Sequence, residues 1–330
     1  MDITERQEDN AMQSTPDQGY DIAIIGGGSA GLSAALILAR ARRSVVVIDG
    51  GAPRNAPAAA AHGLLGQEGV NPLELLQRGR EESTSYGARI LQSAVARASG
   101  AAEDGFVLEL DDDSTILASQ LLIATGVRDE LPSVSGLAER WGRDVVHCPY
   151  CHGWEIRDQR IGLLATGPMS AMQALLFHQW SENMTFFPNG LEFPADQLEK
   201  LRALGIAIVP EEVGAVDVID DQLAAAVMGD GKRIELDALA VPALTRARLV
   251  GLEGLGLDVE ENAAGVALVA DPAGHTSVPG VWAAGNVVNA GMQVSESAAN
   301  GARVAMTINT ELVFARADRA TADIGRPVGA

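Results

Sequence analysis

The alternation of apolar and polar residues near the start of the chain predicts a strand, a helix and a second strand. Tyr20–Ile25 is a short β-branched run that leads into three glycines, and Ser29–Ala41 follows with a helical pattern rich in Ala and Leu. Ser44–Ile48 is a continuous apolar run that ends at Asp49, which is typical of a strand buried in a parallel sheet. Together the three segments predict a βαβ unit.

A second pattern of the same kind lies in the middle of the chain. Ile161–Ala165 is predicted as a strand, Ser170–Trp180 as a helix and Met184–Phe187 as the next strand. Near the end, an Ala-rich helix is predicted from about Ser295 to Leu312. The remaining predicted elements are the strands Arg89–Ala94, Phe106–Leu110, Leu121–Thr125, Ile206–Val209 and Val281–Ala284 and the helix Ala195–Leu204.

Composition and charge narrow the class of protein. The chain has 330 residues, enough for two domains, and 47% hydrophobic with 21% charged residues excludes a disordered or fibrous protein. A net charge of −20 argues against a nucleic-acid partner and against an anionic membrane surface, because both would repel most of the protein surface.

The ends of the chain and its cysteines bear on its location. Met1–Gln18 is acidic and has no apolar stretch, so it is predicted to be a disordered tail and not a signal peptide. The segment 317–330 is predicted to be a flexible tail. Two cysteines cannot form the disulfide framework of a secreted protein. A soluble, cytoplasmic protein is therefore expected.

The glycines after the first predicted strand have the spacing of a dinucleotide-binding turn. Gly26 permits a tight turn, Gly28 lets the backbone approach a pyrophosphate, and Gly31 allows close packing of helix on strand. Ser29 and Ala30 complete this turn. Asp49, at the end of the next strand, is placed to accept the ribose hydroxyls. The alternative is a glycine-rich turn that binds nothing.

Small residues also end two later strands. Ala124, Thr125 and Gly126 follow one strand, and Gly285 and Asn286 follow another. Segments of this kind suit a place where the backbone must approach a planar ligand closely, although many strand ends have them without binding anything.

Cys148 and Cys151 form a CxxC pair at a predicted helix start, where the helix N-terminus lowers the pKa of a thiol and favours disulfide exchange. His147 and His152 flank the pair, and either could move the proton that dithiol oxidation releases. Zinc is an alternative for these four residues, but such sites take a second ligand pair that the sequence lacks, so no metal is expected. Two inert buried cysteines are the other alternative.

The chain resembles the low-molecular-weight thioredoxin reductase-like flavoproteins in four segments and in their order. These segments are the glycine turn, the Ala124–Gly126 strand end, the CxxC and Thr276–Gly285. The resemblance implies a two-domain α/β fold and a homodimer. An FAD-binding Rossmann-type domain would comprise residues 19–136 and 243–316, and an inserted, smaller NAD(P)-type domain, residues 137–242, would carry the CxxC. It also implies that Cys151 lies against the flavin and that Cys148 meets the substrate.

Departures from the reductase pattern favour a particular branch of this family. Reductases bind NADPH through a GxGxxA turn and an arginine cluster in the inserted domain. Here the matching turn begins at Ala165, and Phe186–Gly190 carries no positive charge, so NADPH binding is doubtful. The run from Cys148 to Glu155 is similar to that of the dithiol oxidases that close the disulfides of gliotoxin, holomycin and romidepsin.

That similarity implies an FAD-dependent oxidase of a small-molecule dithiol, with dioxygen as acceptor and hydrogen peroxide as product, in natural-product (antibiotic) biosynthesis. Cys148, Cys151 and His152 would be its catalytic residues. A reductase with NAD(P)H or another donor, and a non-catalytic flavin protein with a structural or regulatory disulfide, remain the alternatives. By position in the family, further FAD contacts are expected from Arg54, Asn55, His62, Gln293 and Val294, with Asn286 standing where an acid is usual.

Overall fold

The computed structural model describes residues 19–324, which form four sheets and six α-helices. The predicted acidic tail of residues 1–18 lies outside these residues. The helices are α1 (Ser29–Arg40), α2 (Pro72–Ser85), α3 (Pro149–His152), α4 (Ser170–Phe177), α5 (Ala195–Ala203) and α6 (Val294–Ile324).

The strands are, in chain order, β1 (Tyr20–Ile25), β2 (Val45–Asp49), β3 (Arg89–Gln92), β4 (Val95–Ala101), β5 (Gly105–Leu110), β6 (Thr115–Ile123), β7 (Val127–Glu130), β8 (Val145–Val146), β9 (Ile161–Leu164), β10 (Met184–Phe187), β11 (Ala207–Ile208), β12 (Val213–Ile219), β13 (Gln222–Met228), β14 (Arg233–Glu235), β15 (Ala238–Ala240), β16 (Leu244–Ala247), β17 (Val259–Asn262), β18 (Gly265–Leu268) and β19 (Val281–Ala283).

The largest sheet has the order β3-β2-β1-β6-β5-β4, and β19 pairs with the end of β6. β3, β2, β1, β6 and β19 are mutually parallel along this path, whereas β4 and β5 are antiparallel. Successive side chains of a strand point to opposite faces. Ile22 and Ile24 therefore pack under α1 and α6, while Ala23 and Ile25 join the core on the other face.

A second, five-stranded sheet has the order β11-β10-β9-β15-β8 and is parallel throughout. The apolar residues of α4 and α5 cover one face of it, and the antiparallel sheet β12-β13-β14 lies by the other face. The fourth sheet, β17-β18-β16-β7, brings residues 127–130 together with residues 244–268.

The sheets group by chain position in a simple way. All strands of the second and third sheets come from residues 145–240, and those of the first and fourth come from residues 20–130 and 244–283. The predicted boundaries at 136/137 and 242/243 lie between these groups, and their status as domain limits stays a prediction. The mixed α/β architecture itself is the predicted one. None of the helices within residues 19–324 is both long and apolar enough to cross a membrane.

Ten strands, β4, β7, β8 and β12–β18, were not predicted, and three further differences concern α6, β6 and α2. α6 continues to Ile324, so residues 317–324 of the predicted flexible tail are helical; three of these eight residues are Ala, which favours helix even without burial. β6 begins at Thr115, six residues before the predicted start. α2 was not predicted, because its residues are mostly polar and show little apolar periodicity.

Candidate functional site

The carboxyl ends of the parallel strands in the first sheet meet at one edge, and a large cavity opens there. The cavity has a volume of about 940 Å³ and continues to the CxxC segment. Ligand sites of open α/β sheets lie at this edge, outside the carboxyl ends of the strands. Most of the predicted cofactor residues line it: Gly26, Gly28, Ser29, Ala30, Asp49, Arg54, Asn55, His62, Ala124, Thr125, Gly126, Asn286, Gln293 and Val294.

The glycine turn, residues 26–31, leads from β1 into α1. Gly26 has φ +109°, a conformation that a side chain would strain. A Cβ at Gly31 would lie 1.9 Å from the carbonyl oxygen of Gly26, so only glycine allows this contact of helix and turn. Gly31 lies behind the cavity surface and acts through packing. Gly28, the residue before α1, has no atom within 4 Å of where a Cβ would stand and faces open space.

Asp49 ends β2 beside the glycine turn and is nearly fully buried. One of its carboxylate oxygens accepts a hydrogen bond from Arg80 Nη2 at 2.9 Å, and the other accepts one from the backbone amide of Gly51 at 3.1 Å. Each oxygen has a further lone pair, so the carboxylate can still accept hydrogen bonds from a ligand hydroxyl. Arg80 of α2 fixes its orientation, a contact that the sequence did not suggest.

Two other predicted cofactor residues hold loops of the protein in place. The guanidinium of Arg54 pairs with Asp129 at 2.6 Å and donates to the carbonyl oxygen of Ala290 at 2.9 Å. The side-chain nitrogen of Asn286 donates to the carbonyl oxygens of Asn289 and Met292, at 3.0 and 2.9 Å. Both side chains therefore shape the cavity wall through contacts within the protein.

Gly285 lies outside the cavity lining. Its amide donates to the side chain of Asn300 at 2.8 Å, and a Cβ there would lie 2.7 Å from that of Ala30. The residue therefore allows β19 and α6 to approach the start of α1. The structure gives this residue a packing role, and its predicted role as a direct cofactor contact stays a prediction.

The CxxC pair lies where β8 ends and α3 begins, with Cys148 as the residue before the first helical turn. The two Sγ atoms are 2.6 Å apart, within reach of disulfide formation. Hydrogen bonds from the Cys151 thiol and from the backbone amides of Cys151 and Tyr150 lower the pKa of Cys148 to about 7. The same thiol contact and burial raise the pKa of Cys151. Cys148 is thus the more readily ionised thiol.

His152, the last residue of α3, also lines the cavity. Both of its ring nitrogens are buried, and neither has a hydrogen-bond partner within residues 19–324. Burial lowers the pKa of His152, so the ring is neutral near pH 7 and can accept a proton. His147 is half-buried and desolvation lowers its pKa as well, but one of its nitrogens lies 3.2 Å from the Val241 carbonyl oxygen.

His62 connects the loop after β2 to the CxxC segment. Its Nδ1 lies 2.7 Å from the Glu68 carboxylate, and its Nε2 lies 3.4 Å from that of Glu155. The hydrogen bond from His62 lowers the pKa of Glu68. Gln293 stands close by, since a Cβ at Gly63 would lie 3.4 Å from its side-chain oxygen. His62 and Gln293 are therefore neighbours, although their sequence positions are far apart.

The turn at residues 165–170, which we call the second turn, differs from the glycine turn. The hydroxyl oxygen of Ser170 accepts hydrogen bonds from the backbone amides of Thr166 and Gly167, at 3.1 and 3.2 Å. In a dinucleotide-binding turn, amides at this position point to the phosphates. Here a side chain of the protein satisfies them.

Residues 186–190, at the end of β10, include no positively charged side chain. Phe186 and Phe187 are fully buried, and a Cβ at Gly190 would lie 2.7 Å from a carboxylate oxygen of Glu212. A carboxylate at this place repels a phosphate. The charge at the end of β10 is thus opposite to the one that holds the additional phosphate of NADPH.

Comparison with known proteins identifies the family. Residues 20–302 match the family described as pyridine nucleotide-disulphide oxidoreductase. The chain belongs to this family. It is 34% identical over 279 residues to thioredoxin reductase tcpT of Claviceps purpurea, a match that covers 81% of this chain and 86% of the relative.

Two solved structures are similar along almost the whole chain. The crystal structure of HlmI is 39% identical with a TM-score of 0.87, and the match covers 94% of this chain and 99% of that one. An oxidoreductase from Agrobacterium tumefaciens is 36% identical with a TM-score of 0.85, covering 90% and 99%. These matches establish a thioredoxin reductase-like fold, and the chain is a thioredoxin reductase-like flavoprotein oxidoreductase.

Membership of the pyridine nucleotide-disulphide oxidoreductases implies FAD, and the residues at the glycine turn fit it. The open space at Gly28 leaves room for a pyrophosphate against the start of α1. Thr125 Oγ1 is buried in the cavity wall at the end of β6 with no partner among the described residues, as a group awaiting a ligand would be. Asp49 is oriented to receive the ribose.

Sequence reasoning missed a set of residues on α3 and α4 that lines the cavity beside the cysteines. Tyr150 packs edge-to-face on Trp180, at the end of α4, with ring centroids 5.9 Å apart. We call Tyr150, Met172, Gln173 and Leu176 the α3–α4 wall. One sequence signal could have drawn attention to it: Gln173 is the only polar residue between Ala171 and Phe177.

Proposed function

We propose that this protein is an FAD-dependent oxidase that forms a disulfide in a small-molecule dithiol and passes the electrons to dioxygen. The observation that carries the proposal is a contrast between two turns. The glycine turn is open and shares one cavity with Cys148 and Cys151, whereas the second turn is closed by Ser170. The thiols would thus share their cavity with a bound flavin, whereas a pyridine nucleotide has no free phosphate turn.

A substrate dithiol loses two electrons and two protons and gains an S–S bond, while the S–S bond between Cys148 and Cys151 breaks to give two thiols. The first substrate thiolate attacks Cys148, displaces Cys151 and forms a mixed disulfide. The second substrate thiolate then attacks the substrate sulfur of that mixed disulfide and displaces Cys148. The low pKa of Cys148 favours this last step, because a more acidic thiol leaves faster.

His152 has the properties of the base in this exchange. A thiol must lose its proton before it attacks, and a neutral imidazole in the cavity can accept that proton. Bound FAD would accept two electrons from the reduced CxxC and deliver them to dioxygen, which gives hydrogen peroxide. The resemblance supports Cys151 as the thiol on the flavin side, and the lower pKa of Cys148 suits the thiol that exchanges with substrate.

The size and lining of the cavity support a small substrate. At about 940 Å³, shared between cofactor and substrate, it has room for a small molecule next to FAD. A protein substrate would instead require a thiol pair on an open surface, and here both cysteines are only partly exposed. Natural-product biosynthesis and homodimer assembly stay predictions from the resemblance, and a cytoplasmic location stays a prediction from the composition.

An anaerobic experiment tests the direction of electron flow. Excess dithiothreitol should bleach the flavin within seconds, and admission of air should restore it with one hydrogen peroxide formed per dithiol oxidised. NADPH or NADH at the same concentration should leave the flavin oxidised. Rapid bleaching by either nucleotide would establish the reductase in place of the oxidase, and an unchanged spectrum with every donor would favour a non-catalytic flavin protein.

A further inference from the structure

One buried polar atom in the cavity wall, on Gln173, has no hydrogen-bond partner among the described residues. Gln173 Oε1 is buried, and no group in residues 19–324 donates a hydrogen bond to it. The side chain lines the cavity together with Met172 and Leu176 of the same helix and with Tyr150. An unsatisfied buried acceptor is unfavourable, so such atoms in a binding cavity point to a donor supplied by the ligand.

The position of Gln173 assigns it to the substrate and not to FAD. α4 packs against α3, the helix of the cysteines, and against strands of the second sheet. The glycine turn, Asp49 and Thr125, which fit the cofactor, all follow strands of the first sheet. Within the α3–α4 wall, Tyr150 and Met172 are 62% and 48% exposed, which leaves apolar surface beside the thiols for a molecule to cover.

The chemistry of the wall restricts the ligand. Three of its four side chains are apolar or aromatic, and none carries a carboxyl, amino or guanidinium group. Binding cavities that are mostly apolar use a few placed polar groups to orient the ligand. A charged donor would lose hydration against Met172 and Leu176 without gaining a counter-charge from this wall. The donor that suits Gln173 is therefore neutral.

We propose that Gln173 determines substrate specificity by accepting a hydrogen bond from a neutral N–H or O–H group of the dithiol. The inference rests on the proposed function, since it assumes that a small dithiol occupies the space between the cysteines and α4. A dithiol with an apolar body and one such donor binds well; the same dithiol without the donor leaves Gln173 Oε1 unsatisfied and binds less well.

A pair of probes that differ by one donor tests this. N-benzyl-2,3-dimercaptopropanamide carries an amide N–H, and its N-methyl counterpart does not. Affinities are measured by calorimetry on a Cys148→Ser/Cys151→Ser protein loaded with FAD, so that no oxidation is needed. The N–H probe should bind about tenfold more tightly, the usual consequence of one satisfied hydrogen bond.

Three variants in the same background separate the roles of Gln173. Gln173→Leu should reduce the preference to near unity, mainly by weakening the N–H probe. Gln173→Asn retains a neutral amide acceptor and should retain part of the preference. Gln197 offers a matched control, because its Oε1 is also buried without a partner in the described chain but lies outside the cavity. Gln197→Leu should leave both affinities unchanged.

The possible failures can be told apart. An unchanged preference in Gln173→Leu, or loss of FAD from that variant with both probes weakened equally, would overturn the role assigned to Gln173 while leaving the oxidase intact. If neither probe binds and the native protein oxidises neither one, the proposed function fails, and the inference about Gln173 fails with it.

Discussion

The hydroxyl oxygen of Ser170 accepts a hydrogen bond from the backbone amide of Gly167 at 3.2 Å. It binds the amide of Thr166 as well, so one buried side chain satisfies two donors of the second turn. At the glycine turn the residue in the place of Ser170 is Gly31, which has no side chain to bond to the turn amides, and Gly28, in the place of Gly167, faces open space. The two turns thus differ in whether a phosphate can reach their amides.

Opening the second turn should therefore improve nucleotide binding. Ser170→Ala frees the two amides, and Glu212→Arg replaces a carboxylate near Gly190 by a cation. We expect negligible NADPH binding in the native protein and an affinity at least about tenfold higher in the double variant, since a charge-assisted hydrogen bond contributes this much. Fluorescence titration of NADPH provides the measurement.

Ser181→Ala is the control for that pair of changes. Ser181 is also buried and its hydroxyl also bonds to backbone, but it lies away from the second turn. The Ser181→Ala variant should bind NADPH as weakly as the native protein does. Micromolar affinity of the unmodified protein for NADPH would contradict the interpretation of Ser170.

The glycine turn leads to a second prediction. Gly28→Val places a branched side chain in the open space that the pyrophosphate should occupy, so the affinity for FAD should fall about 10- to 100-fold and the protein should purify with little yellow colour. Gly229 is a matched control, because a Cβ there also meets nothing within 4 Å but the residue lies outside the cavity. Gly229→Val should remain yellow. Full FAD occupancy in Gly28→Val would place the cofactor elsewhere.

Most of the site's framework follows from strand ends. Gly26, Asp49 and Thr125 were predictable as neighbours because the carboxyl ends of adjacent parallel strands meet at one edge. The start of a helix at Cys148 was also predictable, since Pro149 favours the first helical position. These features depend on local sequence and on a common topology.

Features that depend on side-chain orientation were not predictable. The cap by Ser170 requires one rotamer in an altered turn, and the exposure of Gln173 to the cavity depends on how α4 packs on α3. The helix α2 did have a signal: Asn71 caps its start by accepting from the amides of Leu73 and Glu74, with Pro72 at the first position. Its polar composition obscured that signal.

A third prediction concerns the proton acceptor. His152→Ala should retain FAD and the disulfide but reduce dithiol oxidation about 10²- to 10⁴-fold, the usual effect of losing an acid/base group. His178→Ala is the control, since His178 lies outside the cavity and contacts the Leu204 carbonyl oxygen. Turnover unchanged in His152→Ala would exclude this histidine and direct attention to His147 or His62.

The pH profile gives an independent test of His152. The neutral ring is the active form, and burial lowers its pKa. Activity should therefore persist below the ordinary histidine pKa of about 6.5 and decline only as pH falls further. This acid limb should disappear from the residual activity of His152→Ala. If the native protein and His152→Ala show the same acid limb in their pH–activity profiles, the limb reports the titration of another side chain.

The last prediction distinguishes the two thiols. In the reduced protein Cys148 should react with iodoacetamide before Cys151, with a midpoint near pH 7, because the thiolate is the reactive form and the pKa of Cys148 is about 7. The largest cause of that value is the hydrogen bond from the Cys151 thiol. Cys151→Ala removes this donor, so the midpoint for Cys148 should move up, towards the ordinary value of about 8.5.

Mass spectrometry identifies which cysteine carries the label, and the rate at each pH gives the midpoint. The backbone amides of Tyr150 and Cys151 also stabilise the Cys148 thiolate, so part of the acidity should survive in Cys151→Ala. Cys148→Ala supplies the reciprocal test: without its partner, Cys151 loses the contact that raises its pKa and should react at lower pH than in the native pair. Preferential labelling of Cys151 in the native protein would reverse the two roles and place Cys148 on the flavin side.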